Sequence, residues 1–342
     1  FLSAANSISK CCEHLLIECD STTPAKFTCP KLPGALPQQT SYVRERLNMR
    51  SVAIIGIGQT PVDEHWDLSL KEIAGQAVLS AMMDAGRNSV DGMYIGNMMS
   101  GILGKQENIG ALVADWMGLV GIEASKVEAA CGSGAAALRA GLMAVASGVM
   151  DSALVVGVEK MTESLPIETT AGLATAADAD YEVAQGLTFV ALNALIMRRY
   201  LHEYGWEHTH FANFSINSHA NAVHNPFARL HERITLNDYQ KARMIAAPIN
   251  LLDASPTGDG AAALYLVPLD TLLPSGKPRI VIAGSASATD AIAIHSRKDP
   301  LWLTPAEKSA KEAYRQAGVT PQDINFFELH DAFSIMSALS LE

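Results

Sequence analysis

One stretch of the sequence, residues 127–148, limits what this chain can fold into. A strand-like run over 126–130 meets the glycine-rich turn Cys131-Gly-Ser-Gly, and a segment whose only charge is Arg139 comes next. Because this segment is apolar on nearly every side, we expect a buried helix. The next run, Ala153-Leu-Val-Val-Gly-Val158, predicts a buried strand. Two core strands joined by a buried helix indicate an α/β fold.

Cys131 falls at the N-terminus of this predicted helix. The free N–H groups of the first turn and the helix dipole favour negative charge there, which lowers the pKa of a thiol. A thiolate is a nucleophile, and backbone N–H groups can bind an oxyanion. Position alone leaves two interpretations open, a nucleophile and a small apolar residue of the core. Gly132 and Gly134 favour the nucleophile modestly, because they leave space beside the sulfur.

Composition excludes several classes of protein. The net charge of −11 and the lack of a basic run argue against binding to nucleic acid or to a membrane surface. No apolar run is long enough to cross a bilayer. Four of the five cysteines lie in the first thirty residues, which excludes a disulfide framework for the rest and suits a reducing, cytoplasmic location. No paired C-x₂-C spacing occurs, so we expect no metal site.

Residues 1–48 differ in character from the rest of the chain. Prolines interrupt any regular element there, and no apolar core is long enough for a signal peptide. At Met49 the pattern of a buried strand begins abruptly. We therefore expect residues 1–48 to be an irregular N-terminal extension, or upstream sequence assigned in error. Removing them should leave the thermal midpoint within a few degrees.

The chain also contains an internal repeat with an offset of 232 residues. The repeated elements are strand 51–58, helix 70–85 and Asp91, which recur as strand 279–284, helix 305–317 and Asp323. Both copies predict strand, helix and strand, so each half is expected to be a parallel α/β unit. A duplicated α/β layout places a binding site where the two halves meet.

Residues 161–249 interrupt the α/β pattern. They are richer in histidine, asparagine and aromatic residues, and helices are predicted over 185–204 and 211–223. We interpret this segment as an inserted cap or loop domain. Its histidines show no metal-binding spacing, so each is expected to have a surface or structural role.

Three further motifs, one rich in glycine and two polar, are candidates for either a functional or a structural role. Gly56-x-Gly58 follows a strand but lacks the third glycine of a dinucleotide-binding fingerprint, so we do not expect a nicotinamide cofactor. Ser255 lies in a polar turn and, on position alone, can be a simple turn residue. His330 ends the run 326–330, predicted as a buried strand, at the edge where sites of α/β sheets lie. A capping or core histidine is the alternative.

Five motifs, in this order, resemble those of the thiolase family, with the archaeal acetyl-CoA acetyltransferase and sterol-carrier-protein type as the nearest branch. They are the Cys131 helix, Gly157-Val-Glu-Lys-Met-Thr162, Asn217-Ser-His-Ala-Asn-Ala-Val-His-Asn-Pro226, Ser255 with Gly258-Asp-Gly-Ala-Ala-Ala263, and His330-Asp-Ala-Phe333. The resemblance covers residues 49–342. It implies an α/β fold of duplicated αβαβα layers with an inserted loop domain, assembled as a homodimer or homotetramer.

The resemblance also implies a domain layout and site residues. An N-terminal thiolase half is expected at 49–160 and 250–270, the loop domain at 161–249, and a partial C-terminal half at 271–342. Cys131 matches the nucleophile that takes the acyl group from acyl-CoA, and its N–H matches an oxyanion donor. His330 replaces the Asn of the commoner Asn-Glu-Ala-Phe motif, which holds a water for a second oxyanion hole. Positions matching the pantetheine tunnel are Ser255, Ala332 and Phe333.

The activity implied by the resemblance is that of an acyl-CoA C-acyltransferase. Cys131 would pass an acyl group to CoA, or to a second acetyl-CoA with formation of a C–C bond, with coenzyme A as substrate and no other cofactor. Two alternatives remain open: a ketoacyl-synthase-like condensing enzyme that prefers acyl carrier protein, and a noncatalytic thiolase-like partner that binds acyl-CoA. Archaeal relatives add a small OB-fold protein as a candidate partner.

One expected element lies beyond the sequence. The repeat offset of 232 maps Cys131 to position 363, past Glu342. In the family, that counterpart begins with a Gly-His-Pro motif whose histidine activates the nucleophile, and Ala332 stands where sterol-carrier-type enzymes often carry an acid/base cysteine. We therefore expect an incomplete second half, little or no turnover by this chain as written, and an exposed apolar face on the helix after Cys131.

Overall fold

The computed structural model describes residues 49–272 and 280–342. The predictions for residues 1–48 and for Arg279 lie outside the described residues. The strands are β1 (Val52–Gln59), β2 (Gly92–Gly96), β3 (Glu123–Val127), β4 (Ala153–Glu159), β5 (Met244–Ala246), β6 (Ile249–Asn250), β7 (Gly260–Pro268) and β8 (Ile280–Val281). The α-helices are α1 (Leu70–Ala85), α2 (Ile109–Trp116), α3 (Ser133–Ala146), α4 (Pro166–Ala174), α5 (Phe189–Tyr204), α6 (Ala212–Ala222), α7 (Leu236–Lys241), α8 (Thr304–Ala317) and α9 (Ser334–Leu341).

Six strands form one sheet in the order β3-β2-β4-β7-β1-β8. β2 is parallel to β3 and β4, whereas β7 is antiparallel to both β4 and β1. β1, β4 and β2 therefore run in the same direction, as the strand-helix-strand pattern predicts, and β7 is the strand that departs from the predicted parallel arrangement. The chain leaves β4 at Glu159 for the inserted segment and returns at Gly260, directly opposite Glu159. A strand that re-enters at the same edge runs antiparallel, because no crossover carries it back to the other end.

Helix α1 covers one face of the sheet and explains the Gly56-x-Gly58 motif. A Cβ atom at Gly56 would lie 2.2 Å from the carbonyl oxygen of Ala81, and one at Gly58 would lie 2.1 Å from that of Ala77. The two glycines thus let the helix backbone approach the strand. Its ends form as the sequence predicts, with a capping box at Ser69 and Gly86 in the left-handed conformation at φ 62°.

Helix α3 lies on the opposite face of the sheet. Gly141 faces β4, where an added Cβ would meet Val155 Cγ2 at 2.6 Å. Only the side of α3 toward the sheet is buried, and Met143 is half exposed, so the expectation of burial all round is wrong. Within the described ranges, the only other sheet is the two-stranded pair of β5 and β6. The guanidinium of Arg139 on α3 donates a hydrogen bond to the Ser285 carbonyl at 2.5 Å.

The second copy of the repeat forms only in part. Helix α8 appears where the repeat predicts it, but β8 has two residues and pairs antiparallel with β1. The predicted strand over 326–330 is absent from the described structure, and Phe326 is 83% exposed. A strand needs a neighbour for its backbone hydrogen bonds, and the described residues supply none there. His330 therefore does not end a buried strand.

The inserted segment and the C-terminal helix share a second core. Helices α5 and α6 form within a few residues of the predicted bounds and contact α9. The buried side chains of this core include Met197, Tyr200, Phe211, Ile249, Phe333, Ile335 and Leu339. The described ranges contain no helix that is both long and apolar enough to span a membrane. The bounds of the two thiolase halves and of the loop domain stay predictions.

Candidate active site

Cys131 lies in a tight turn between β3 and α3. Gly132 is the N-cap of α3, and Ala130 adopts the left-handed backbone conformation at φ 48°, which is uncommon for a residue with a side chain. The Ser133 hydroxyl accepts a hydrogen bond from the Ala129 N–H at 2.9 Å and donates one to the Ala130 carbonyl at 2.6 Å. These two bonds hold the strained residue next to the cysteine.

The end of β2 passes close behind this turn. A Cβ atom at Gly96 would lie 2.4 Å from the Ser133 carbonyl oxygen and 2.6 Å from Gly134 Cα. β2 can therefore pass the start of α3 only if it carries glycine at this point. At Gly157, which lies opposite Gly96 in the sheet, the nearest atom to an added Cβ is 3.8 Å away, so open space remains near the end of β4.

A cavity of about 380 Å³ occupies this space, and Cys131 is part of its wall. The rest of the lining comes from the ends of β1, β2 and β4, the start of β7, the residues that flank these strands, the start of α3, and Leu173 of α4. The larger side chains in the wall are Val62, Met98, Met99, Val158, Met161 and Leu173, and the acidic ones are Glu159 and Asp259. The cavity is thus mainly apolar, with a thiol and two carboxyl groups.

Glu159 is held by N–H groups from the turn after β2. Its carboxylate accepts hydrogen bonds from Met98 N at 2.5 Å, Met99 N at 3.2 Å and Asn97 Nδ2 at 3.0 Å. Burial raises the pKa of Glu159 above its ordinary value, and the hydrogen bonds from Met98 and Met99 oppose that rise.

Asp259 is fully buried and ties three segments together. It accepts hydrogen bonds from Met161 N, from the Thr162 N–H and hydroxyl, and from His65 N, and Lys160 Nζ lies 3.5 Å away. Burial alone would raise the pKa of Asp259, but hydrogen bonds led by that of Thr162 outweigh it and hold the pKa below its ordinary value. Asp259 is therefore a carboxylate with a structural role.

The acidity of Cys131 differs from the sequence-based expectation. Partial removal from water beside the cavity raises the pKa of its thiol, its own N–H opposes this, and the charge of Glu159 adds to the rise. The prediction of a lowered pKa is wrong for this structure. The helix begins at Ser133, so Cys131 precedes the first turn, while the cavity and a nearby carboxylate act on the thiol directly.

The other predicted site residues form a separate group. The Ser255 N–H donates to the Ala332 carbonyl at 3.1 Å, and Ala254 forms a backbone bridge with Phe333. Phe333 is buried, and its ring centroid lies 5.9 Å from that of Phe189. His330 is exposed. The residues lining the Cys131 cavity do not include this group.

A buried network beside that group was not predicted from the sequence. The Asp253 carboxylate accepts hydrogen bonds from the Tyr239 and Ser334 hydroxyls, both at 2.5 Å, and from Asn250 N at 2.8 Å. His208 Nε2 lies 2.7 Å from the same carboxylate, which gives this histidine the structural role expected for it. The signal that could have revealed Asp253 is an acidic residue in an otherwise apolar run before Ser255. Across the described residues, no cluster of three or more His, Cys, Asp and Glu side chains is arranged to hold a metal ion.

Comparisons with known proteins agree with this architecture. The thiolase N-terminal domain model matches residues 52–270, and the thiolase C-terminal domain-like model matches residues 286–342. The chain is 42% identical over 296 residues to the acetyl-CoA acetyltransferase of Methanothermobacter thermautotrophicus, covering 86% of this chain and 77% of that protein. It is 38% identical over 298 residues to the acetyl-CoA acetyltransferase of Methanocaldococcus jannaschii, covering 86% and 76%.

Two solved structures are also similar. The Ltp2-ChsH2(DUF35) aldolase superposes with a TM-score of 0.71 at 27% identity, covering 85% of this chain and 76% of that one. The acetyl-CoA acetyltransferase from Syntrophomonas wolfei has a TM-score of 0.67 at 19% identity, covering 86% and 82%, a likeness that concerns the fold alone. Since the N-terminal family model matches more than half of the residues, the chain belongs to the thiolase family of acyltransferases.

Proposed function

We propose that Cys131 is the nucleophile of this acyltransferase and that the cavity beside it receives the acyl group of an acyl-CoA. The observation that carries the proposal is the position of Cys131, in a braced turn before α3 and in the wall of a mainly apolar cavity. A thiol suits this reaction because the attacking and leaving sulfur groups have similar basicity.

In the first half-reaction, Cys131 Sγ loses its proton and attacks the thioester carbonyl carbon. Negative charge develops on the carbonyl oxygen, where the Cys131 N–H is the proposed donor. The C–S bond to CoA then breaks, CoA leaves as a thiolate and takes up a proton, and an acyl-cysteine remains. In the second, either CoA or the α-carbon of a deprotonated acetyl-CoA attacks this acyl group and restores the thiol.

The remaining site residues are proposed to serve CoA. His330 would hold a water for the oxyanion of the second half-reaction, and Ser255, Ala332 and Phe333 would line the path of the pantetheine arm. Support for a common role comes from the contacts that join Ser255 to Ala332 and Ala254 to Phe333. Coenzyme A acts as a substrate, and no further cofactor is proposed.

The assembly is also a proposal. We expect a cytoplasmic homodimer or homotetramer, with a small OB-fold protein as a candidate partner. A small partner protein is supported by the name of the similar aldolase structure, which pairs Ltp2 with a DUF35 protein.

The test of the proposed function is acylation of the chain by acetyl-CoA, followed by peptide mass spectrometry. We expect one acetyl group on Cys131, none on a Cys131→Ser variant, and protection of Cys131 from iodoacetamide by acetyl-CoA. If Cys131 is acylated only by an acyl thioester of acyl carrier protein, and not by acyl-CoA, a ketoacyl-synthase-like enzyme is favoured instead. If no acyl donor modifies Cys131 in the folded protein, the nucleophile assignment is wrong and a noncatalytic acyl-CoA-binding role is favoured.

A further inference from the structure

Glu159 and Cys131 lie in the wall of the same cavity, at the ends of neighbouring parts of the sheet. We propose that Glu159 is a positioning residue of the acyl-transfer site, which fixes the turn after β2 and opposes formation of the Cys131 thiolate while the cavity is empty. The inference rests on the proposed role of Cys131 as nucleophile.

The first part of the proposal follows from the hydrogen bonds around Glu159. All three donors come from one short segment, Asn97–Met99, and two of its residues, Met98 and Met99, form part of the cavity wall. Asn97 is itself fixed, because its Nδ2 donates to the Val158 carbonyl at 2.8 Å and its Oδ1 accepts from Ser100 N at 3.0 Å. Glu159 therefore joins the end of β4 to the wall built after β2.

The second part follows from the charges around the cavity. Asp259 lies near Lys160 and accepts four hydrogen bonds, so its charge is largely compensated. Within the described ranges, Glu159 has no ion pair within 4 Å, and the nearby ammonium of Lys126 pairs with Glu107 at 3.2 Å. Three N–H donors favour the ionised form of Glu159 and oppose the effect of burial, so the cavity wall that contains the thiol also contains a carboxylate.

Other charges near the thiol are better screened. Glu128 lies three residues before Cys131, but it is exposed and its carboxylate accepts from the Ala130 N–H at 2.6 Å. Water around the exposed carboxylate of Glu128 weakens its field, whereas the carboxylate of Glu159 is partly buried and therefore less screened. The raised pKa of the Cys131 thiol agrees with such an arrangement, since removal from water and then Glu159 contribute to it.

A protonated thiol has a chemical consequence for the free protein. The thiolate is the form that reacts with oxidants and alkylating agents. By opposing the thiolate, Glu159 would keep the nucleophile unreactive toward them in the empty site.

The experiment measures the rate of iodoacetamide labelling of Cys131 between pH 6 and 10 by peptide mass spectrometry, in the full chain. Glu159→Gln removes the charge, Glu159→Asp keeps the charge but shortens the side chain, and Glu128→Gln removes an exposed carboxylate as a matched control. We expect Glu159→Gln to lower the midpoint of the labelling profile by roughly half a pH unit to one unit, which is the scale of a nearby like charge.

The two control variants separate charge from shape. Glu159→Asp should keep the midpoint of the wild type within roughly 0.3 units, and so should Glu128→Gln. The midpoint is the better readout, because the intrinsic reactivity of a thiolate falls as its pKa falls and partly offsets the gain in rate. An unchanged or raised midpoint in folded Glu159→Gln would overturn the proposal, as would an equal shift in Glu159→Asp.

Folding of each variant is checked by its thermal midpoint. If Glu159→Gln does not fold, Glu159→Ala, which also removes the charge, takes its place: a midpoint lowered by roughly half a unit to one unit supports the proposal, and an unchanged or raised midpoint overturns it. Because alkylation reports on the thiol whether or not an acyl-enzyme forms, failure of this inference is distinguishable from failure of the proposed function.

Discussion

The Ser334 hydroxyl donates a hydrogen bond to the Asp253 carboxylate at 2.5 Å, and the Ser334 N–H donates to the Asp253 carbonyl at 2.9 Å. These bonds join the turn after β6 to the first residue of α9. The same carboxylate meets Tyr239 and His208 of the inserted segment. One buried carboxylate thus connects the inserted segment, the Ser255 turn and the segment after His330.

Removing the Ser334 hydroxyl should weaken this connection. We expect Ser334→Ala to lower the free energy of unfolding by about 1–3 kcal/mol, because a hydrogen bond to a buried carboxylate is lost. Urea unfolding followed by circular dichroism measures the change. Ser309→Ala in α8, whose hydroxyl bonds only to the Ala306 carbonyl one turn earlier, serves as the control and should change it little. Equal losses in the two variants would contradict the assigned role.

The stability of the protein should depend on Asp253 in acid. Burial works to raise the pKa of Asp253, but hydrogen bonds from His208, Ser334 and Tyr239 outweigh it and hold the pKa below its ordinary value. A lowered pKa means that the ionised group stabilises the fold above the ordinary aspartate range, near pH 4, and that this contribution is lost as the pH falls below it.

An Asp253→Asn variant tests this dependence. The stability difference between the wild type and Asp253→Asn should be largest at pH 5–7 and should shrink as the pH falls from 4 toward 2, measured by urea unfolding at each pH. Asp67→Asn, at an exposed position before α1, is the control, and its stability difference from the wild type should stay nearly constant over this pH range. A difference for Asp253→Asn that stays constant down to pH 2 would argue against an ionised carboxylate in the network.

Two glycines opposite each other in the sheet should respond differently to a methyl group. Gly96 of β2 pairs with Gly157 of β4. A Cβ at Gly96 would lie 2.4 Å from the Ser133 carbonyl oxygen, whereas the nearest atom to a Cβ at Gly157 is 3.8 Å away. We expect Gly96→Ala to lower the free energy of unfolding by about 1–3 kcal/mol, through displacement of backbone in a packed region.

Gly157→Ala should cost less than about 1 kcal/mol, because its methyl group meets only ordinary contacts. Thermal and urea unfolding measure the stability change in both glycine variants. Because Gly96 packs against the start of α3, Gly96→Ala should also change the rate of iodoacetamide labelling at Cys131, whereas Gly157→Ala should change it less. The opposite order of stabilities would show that β2 and Ser133 are not in tight contact.

The Ser133 side chain is expected to stabilise the turn at Cys131 more than it stabilises the helix that begins at this residue. Ser133→Ala removes the two side-chain hydrogen bonds from Ser133 to Ala129 and Ala130, and we expect a loss of about 1–2 kcal/mol in the free energy of unfolding together with slower acylation of Cys131 by acetyl-CoA. Ser147→Ala, at the other end of α3, loses a single exposed bond to the Ala144 carbonyl and is the control. Acylation rates slowed equally in both variants would contradict a specific role for the turn.

The sequence by itself determined β1, α1 with its two ends, α3 and β4, whereas α2 was not predicted and β3 lies three residues earlier than the predicted strand. The capping box at Ser69, Gly86 at the helix end and the glycine turn at Cys131 are local signals, and local hydrogen bonding and backbone freedom are enough to act on them. Five ordered motifs were also enough to predict the family, which the domain matches confirm.

Only the tertiary structure decided which groups surround each site residue. Strand direction depends on where β7 re-enters the sheet, and a strand at 326–330 depends on a neighbour that no local pattern reveals. The pKa of Cys131 is set by the cavity and by Glu159, which is 28 residues away in the sequence. Electrostatic and hydrogen-bonding energies depend on distance in space, so the effect of one residue on another could be assigned only from the folded structure, in which these residues lie close together.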